Sequence, residues 1–129
     1  MTHVVLDASA ILALLKGERG ASKVGGVIAD ASACAINQAE VISHFVHLGA
    51  PLDDVRAMLA ALPYTIVAAD DALAWEAGNL RAATSSAGLS LGDRFCLALA
   101  KHLGAPAYTA DTAWKDIASD AGVKVVVIR

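Results

Sequence analysis

The chain has 129 residues, of which 57% are apolar, so we expect residues 1–129 to form a single domain with a sizeable buried core. Ten Lys and Arg against thirteen Asp and Glu give a formal charge of -3, which argues against a protein that coats nucleic acid by charge alone. No apolar run reaches the roughly 18 residues of a membrane span, and the first residues lack the basic stretch of a secretory signal. We therefore expect a cytoplasmic protein without membrane association, in which Cys34 and Cys96 are buried thiols.

Strands and helices alternate along the first half of the chain. The β-branched run HVVLD predicts a strand, and ASAILALLKGERG predicts a helix that ends in a Gly-containing stretch. ASKVGGVIADA then predicts a glycine-weakened helix, SACAIN a short buried strand, and QAEVISHFVHLG a helix with one apolar face. PLDDVRAMLAAL predicts a further helix, whose apolar stripe consists of Val55, Met58, Leu59 and Leu62.

The alternation continues through the second half. YTIVA predicts a strand, DDALAWEAGNLRAATSSAG a helix that opens on an acidic pair, and SLGDRFCLALAKHLG another helix. APAYTAD, TAWKDIASDAG and VKVVVI predict a strand, a short helix and a final strand. Because apolar strands alternate with helices, we predict an α/β fold: a three-layer α/β/α sandwich with a mainly parallel central sheet.

Four acids share one kind of position, the start of a predicted helix: Asp7, Glu40, Asp93 and Asp111. Taken singly, each has a capping interpretation. Ser90 and Asp93 have the spacing of a capping box, and Asn37 and Glu40 approximate another, with Asn37 as the cap. The remaining two acids have the positions of ordinary N-caps.

Taken together, the four acids favour a metal site. In a parallel sheet every strand-to-helix turn lies on the same edge, so the carboxylates are expected to converge and to repel one another. Mg²⁺ or Mn²⁺ fits such a set because hard cations prefer oxygen ligands. Arg94 and Lys115 are alternative sources of neutralising charge.

Polar and basic side chains near the acids have both local and functional interpretations. Ser9, Asn37 and Thr109 are placed either to hold a water or phosphate oxygen or to cap the local backbone. His44 and His47 lie three residues apart on one helix without a Cys or another His nearby. We interpret both histidines as surface or partly buried residues rather than zinc ligands.

Four segments, VVLDASAILALL, NQAEV, SLGDRFCLALA and YTADTAWKDI, carry a resemblance to a known family. In this order they resemble the PIN-domain ribonucleases, specifically the VapC toxins of toxin–antitoxin pairs, over nearly the whole chain. The family's acidic quartet falls on Asp7, Glu40, Asp93 and Asp111, and its less constant fifth acid falls on Asp116. Ser9, Asn37 and Thr109 match the accompanying polar positions.

The resemblance implies a PIN-like fold and a magnesium-dependent endoribonuclease that slows translation by cutting RNA, with Mn²⁺ as a substitute metal. It also implies a cognate antitoxin protein that blocks the acidic cleft, and a homodimer. Basic residues such as Lys16, Arg19, Arg94 or Lys115 then have the role of holding flanking phosphates, and the stripe beginning at Val55 either packs in the core or forms part of an antitoxin groove.

Other functions fit the motifs less well. A receiver domain needs an acidic pair after the first strand, a haloacid-dehalogenase-type phosphatase needs a second Asp where Ser9 stands, and a dinucleotide-binding domain needs glycines that DASAIL lacks. The alternative that stays open is a non-catalytic PIN-like module that binds RNA or protein without cutting.

Overall fold

Five short strands pair in parallel to form the central sheet. The computed structural model describes residues 3–129. Its strands are β1 (Val4–Leu6), β2 (Ala31–Cys34), β3 (Thr65–Val67), β4 (Ala107–Thr109) and β5 (Val125–Val127). Their order in the sheet is β3-β2-β1-β4-β5, and all four neighbouring pairs are parallel. The predicted parallel sheet is thereby confirmed, and the carboxyl ends of its strands share one edge.

Eight α-helices are found among the described residues. They are α1 (Ala8–Lys16), α2 (Ala21–Gly25), α3 (Ala35–His47), α4 (Leu52–Ala60), α5 (Asp71–Asn79), α6 (Arg81–Thr84), α7 (Leu91–Leu103) and α8 (Ala118–Ala121). Short 3₁₀ turns cover Ile28–Asp30, Ser85–Ala87 and Thr112–Asp116. None of the helices in residues 3–129 is long and apolar enough to span a membrane.

The sheet separates two apolar clusters, because successive side chains of a strand point to opposite faces. Val5 packs with apolar residues of α5, α7 and α8. Val4 and Leu6 pack with residues of α1, α2 and α3 on the other face. Cys34 and Cys96 are both fully buried, as predicted. Helices on both faces of the sheet confirm the predicted three layers.

Helix α3 begins earlier than the sequence predicted. SACAIN was expected to be a strand with Asn37 as the helix cap, but β2 ends at Cys34 and the helix starts at Ala35. The pairing of β2 with its neighbour ends where Cys34 meets Val67, the last residue of β3. Since no strand continues beyond this point, the following residues join the helix, and Asn37 lies inside its first turn.

Two of the helices predicted in the second half of the chain are each interrupted in the structure. DDALAWEAGNLRAATSSAG divides after Asn79, next to Gly78, and both residue types have low helix propensity. The carbonyl of Ala77 accepts a hydrogen bond from Arg94 Nη1 at 3.1 Å just before the break. TAWKDIASDAG forms a 3₁₀ turn and then the short α8.

Candidate functional site

A cavity of about 310 Å³ lies at the sheet edge where β1 and β4 end and where α7 begins. Its lining residues are Asp7, Ala8, Ser9, Leu12, Glu40, His44, Asp93 and Asp111. All four acids of the predicted quartet are therefore neighbours in space, although they come from four separate parts of the chain. Parallel strand order brings them together, since each acid follows a strand or begins a helix on the same edge.

Asp7 is held by three hydrogen bonds at the start of α1. Its Oδ1 accepts from the Ala10 amide at 2.8 Å and from Ser9 Oγ at 2.7 Å, and its Oδ2 accepts from Thr109 Oγ1 at 2.6 Å. Only 3% of Asp7 is exposed. This burial raises the pKa of Asp7 to about 6, with the charge of Asp93 adding to the rise and the hydrogen bonds opposing it. Folding therefore makes Asp7 easier to protonate than an exposed aspartate, despite its three hydrogen bonds.

Ser9 and Thr109 extend this arrangement from β1 to the segment after β4. Thr109 Oγ1 accepts from the Asp111 amide at 3.0 Å, and Ser9 Oγ accepts from the Ala110 amide at 2.8 Å. The Asp111 carboxylate itself caps the following 3₁₀ turn by accepting from the Ala113 amide at 2.9 Å. Both hydroxyls therefore act as local caps and also fix the positions of two acids relative to each other.

Glu40 is positioned by Asn37 and by the absence of a side chain at Gly92. The fully buried Asn37 donates from Nδ2 to Glu40 Oε1 at 2.9 Å and to the Gly92 carbonyl at 3.0 Å. A Cβ on Gly92 would lie 2.5 Å from Glu40 Oε1. Burial raises the pKa of Glu40, and the charge of Asp93 adds to this while the Asn37 bond opposes it.

The predicted capping box of Asn37 and Glu40 is wrong, because the N-cap of α3 is Cys34 and Asn37 instead bridges α3 to α7. Sequence reasoning also missed Gly92. The signal that was available is a glycine in the first turn of an otherwise strongly helix-forming segment, a position where glycine usually has a packing reason.

Asp93 performs the predicted capping role on α7 and lines the cavity as well. Its Oδ2 accepts from the Ser90 amide at 2.9 Å, while Ser90 Oγ accepts from the Asp93 amide at 3.2 Å, so the capping box is complete. The carboxylate is thus held at the mouth of the site by its own helix terminus.

Asp116 does not line the acidic cavity, and neither do the four basic residues considered for phosphate contacts, Lys16, Arg19, Arg94 and Lys115. Asp116 is exposed at the end of its 3₁₀ turn, and Lys115 beside it is exposed as well. Arg94 is buried and donates to α5 through the Ala77 carbonyl. His44, by contrast, is half-buried in the cavity wall, while His47 is exposed, which agrees with the interpretation of both as surface or partly buried residues.

The donor set fits a hard divalent cation. Four carboxylates line one cavity, and the space left by Gly92 accommodates one of them. Within residues 3–129 no group of three or more His, Cys, Asp or Glu side chains is already arranged to hold a metal ion. Mg²⁺ does not need such a group, because it is usually held by one or two carboxylates and keeps several waters.

Comparisons with known proteins place this geometry in context. The family model described as the PIN domain matches residues 4–120. No curated protein matches the chain in a sequence search. Among solved structures, a toxin–antitoxin complex from Klebsiella pneumoniae contains a chain that is 22% identical, with a TM-score of 0.74 and 98% of each chain covered.

Two further solved structures are similar over nearly their full length. The DNA-bound VapBC from Salmonella typhimurium has a chain that is 16% identical, with a TM-score of 0.76 and 100% of each chain covered. FitAcB from Neisseria gonorrhoeae has one that is 20% identical, with a TM-score of 0.76 and 97% of each chain covered. At these identities the similarity is one of fold.

Proposed function

Because the chain belongs to the PIN domain family, we propose that it is a metal-dependent endoribonuclease that acts as the toxin of a toxin–antitoxin pair. The observation that carries this proposal is the lining of one cavity by Asp7, Glu40, Asp93 and Asp111. Carboxylates that serve only as helix caps would be distributed around the protein rather than line one cavity. A metal-dependent nuclease uses several neighbouring carboxylates to hold cations beside the phosphodiester that it cleaves.

The four acids would hold Mg²⁺, with Mn²⁺ as a substitute. When bound, the ion supplies activation of water for attack on the scissile phosphate and stabilises charge on the leaving oxygen. Asp7 supports this chemistry as a pre-oriented carboxylate, since Ser9, Thr109 and the Ala10 amide donate hydrogen bonds to both of its oxygens. Asn37 fixes Glu40 in the same way from α3.

We propose that the natural partner is an antitoxin protein, and that the toxin is a single-domain homodimer within their complex. Support comes from the solved structures of similar fold, which are named as toxin–antitoxin complexes. A groove of about 550 Å³ between α3, α4 and β3 offers apolar surface to such a partner. Val55 of the predicted stripe is buried and lines the groove together with Leu59 and Leu62, which also pack against the core.

The test is cleavage of total cellular RNA by the purified, antitoxin-free protein with Mg²⁺. It runs beside the same assay with a chelator and with the Asp93→Asn variant. Discrete fragments that disappear in both controls support the nuclease. Cleavage that survives chelation or the substitution would show that the acidic cavity is not the active site.

The competing function is a PIN-like module that binds RNA or protein without cutting. One observation favours it, namely that in residues 3–129 no group of three or more His, Cys, Asp or Glu side chains is arranged to hold a metal ion. Titration with Mn²⁺, followed by the relaxation of solvent protons, separates the two functions. A folded protein that binds no Mn²⁺ and cuts no RNA is the module.

A further inference from the structure

His44 introduces a nitrogen donor into the wall of the acidic cavity. It follows Glu40 by four residues on α3, so both side chains lie on the same face of the helix. Among the residues that line the cavity, only His44 carries a nitrogen in its side chain. A hard divalent cation prefers oxygen, so this imidazole is better suited to a ligand other than the metal.

Lys16 lies against this imidazole from the end of α1. Its Nζ is 3.3 Å from His44 Nε2. Because an ammonium group has no acceptor, the imidazole nitrogen accepts and the ring proton belongs to Nδ1. The pair therefore offers two kinds of donor, the ammonium of Lys16 and, on the other side of the ring, the imidazole N–H of His44.

The salt bridge with Glu18 neutralises the positive charge of Lys16 only in part. Glu18 Oε2 lies 3.7 Å from Lys16 Nζ, while Glu18 Oε1 lies 3.6 Å from Arg129 Nη2. One carboxylate is thus shared between two cations, so Glu18 does not fully neutralise Lys16 beside a cavity lined by acids. A polyanion that approaches the acids is repelled by them and attracted at this flank.

We propose that His44 and Lys16 form a subsite for the phosphate backbone of the RNA, beside the phosphate that is cut. The inference rests on the proposed function and adds a substrate-binding element to it. Phosphate oxygens accept hydrogen bonds from an ammonium group and from an imidazole N–H, and such contacts position a strand without reading its sequence. A basic side chain from a protein partner would instead meet Lys16 as a like charge, so the flank favours RNA over such a partner.

The experiment measures binding directly, so that it does not depend on finding the natural target. A short fluorescein-labelled single-stranded RNA of mixed sequence is titrated with the Asp93→Asn protein, and anisotropy reports the affinity. His44→Ala and Lys16→Gln are each added to that background. Each is expected to weaken binding on the order of fivefold, and Lys16→Gln is expected to reduce the slope of log affinity against log salt by about 1.

Two matched controls separate a subsite from a structural role. His47→Ala removes an exposed histidine from the same helix, and Lys101→Gln removes the cation of a separate salt bridge, with Glu76, outside the lining of the cavity. Both are expected to leave RNA affinity nearly unchanged. In the protein with Asp93 intact, Mn²⁺ affinity is expected to be the same with and without His44→Ala, and cleavage to show a raised KM with an unchanged kcat.

The outcomes distinguish this inference from the proposed function. RNA affinity in His44→Ala and Lys16→Gln that equals the controls overturns the subsite, even where the unmodified protein cleaves RNA. Absence of any RNA binding overturns it as well. If the unmodified protein cleaves no RNA, a selective loss of affinity in His44→Ala and Lys16→Gln supports an RNA-backbone subsite and contradicts the nuclease.

Discussion

Gly92 and Glu40 are in such close contact that a Cβ on the glycine would lie 2.5 Å from the carboxylate oxygen Oε1. The helix α7 therefore lets Glu40 approach its first turn only because residue 92 has no side chain. Asn37 holds the same two residues together through Nδ2, at 2.9 Å from Glu40 Oε1 and 3.0 Å from the Gly92 carbonyl. The position of one acid of the cavity is thus decided by a residue that has no chemistry of its own.

Gly92→Ala is expected to abolish most RNA cleavage while the protein stays folded. The new methyl group displaces Glu40, whereas alanine in a helix is favoured over glycine by about 1 kcal/mol, which offsets part of the steric cost. Cleavage, Mn²⁺ affinity and thermal unfolding are measured together. Gly78→Ala in α5 is the matched control, because nothing lies within 4 Å of its Cβ position, and full activity is expected there. Equal activity of the two variants would contradict the role of Gly92.

Asp93→Asn is expected to keep the fold and to lose cleavage. An asparagine oxygen can still accept from the Ser90 amide, so the capping box loses its charge rather than its hydrogen bond. The cost to the free energy of unfolding is about 0.5 to 1 kcal/mol from the helix dipole. Far-UV circular dichroism in denaturant checks stability, and the total-RNA assay checks activity. A loss of several kcal/mol would mean that the charge matters for folding rather than for catalysis.

Thr109→Val is expected to impair cleavage far more than Thr84→Val, although both threonines are buried. Thr109 donates to Asp7 at 2.6 Å, while Thr84 donates to the Leu80 carbonyl at 2.8 Å. Thr84→Val loses about 1 to 2 kcal/mol of stability from one missing hydrogen bond, and Thr109→Val loses more because the Asp111 amide also donates to its Oγ1. Only Thr109→Val removes a bond that lowers the pKa of Asp7. In that variant the pKa of Asp7 is therefore expected to rise, and a larger fraction of Asp7 to be protonated. Equal activity in the two variants would show that this bond is structural only.

The stability of the metal-free protein is expected to depend on pH through Asp7. The pKa of Asp7 is raised from 3.8 to about 6 on folding. Its stabilising contribution to the free energy of unfolding is therefore fully present below pH 3.8 and is lost as the pH rises through about 6. The difference corresponds to about 3 kcal/mol. With chelator present, Asp7→Asn should therefore be more stable than the parent protein above pH 6, and this advantage should shrink as the pH falls. Denaturant unfolding on both sides of pH 6 measures it, and an advantage that grows in acid would contradict the assigned pKa shift.

Much of the fold follows from short stretches of sequence. The run from Val4 to Leu6 and the apolar periodicity of ASAILALLK predict β1 and α1, and Gly17 ends that helix in the left-handed conformation, with φ at 63°. Ser90 and Asp93 predict the start of α7 in the same way. These features depend on residues within one or two helical turns of one another, and caps and periodicity act at that range.

The same local signals misplace the start of α3. Asn37 has a side chain typical of an N-cap, yet it lies inside the helix and bonds to the Gly92 carbonyl, 55 positions away. The length of β2 is decided by its neighbour β3, which is distant in sequence. Side-chain capping preference is worth only about 1 kcal/mol, so strand pairing and packing readily override it.

The sequence alone determined the alternation of strands and helices and the presence of acids at the starts of helices. Only the tertiary structure decided which groups meet: Thr109 with Asp7, Glu40 with Gly92, and Lys16 with His44. The physical reason is that propensity and capping are properties of neighbouring residues along the chain. Burial, shared hydrogen bonds and the charges that shift a pKa arise only when the parallel sheet brings distant segments to one edge.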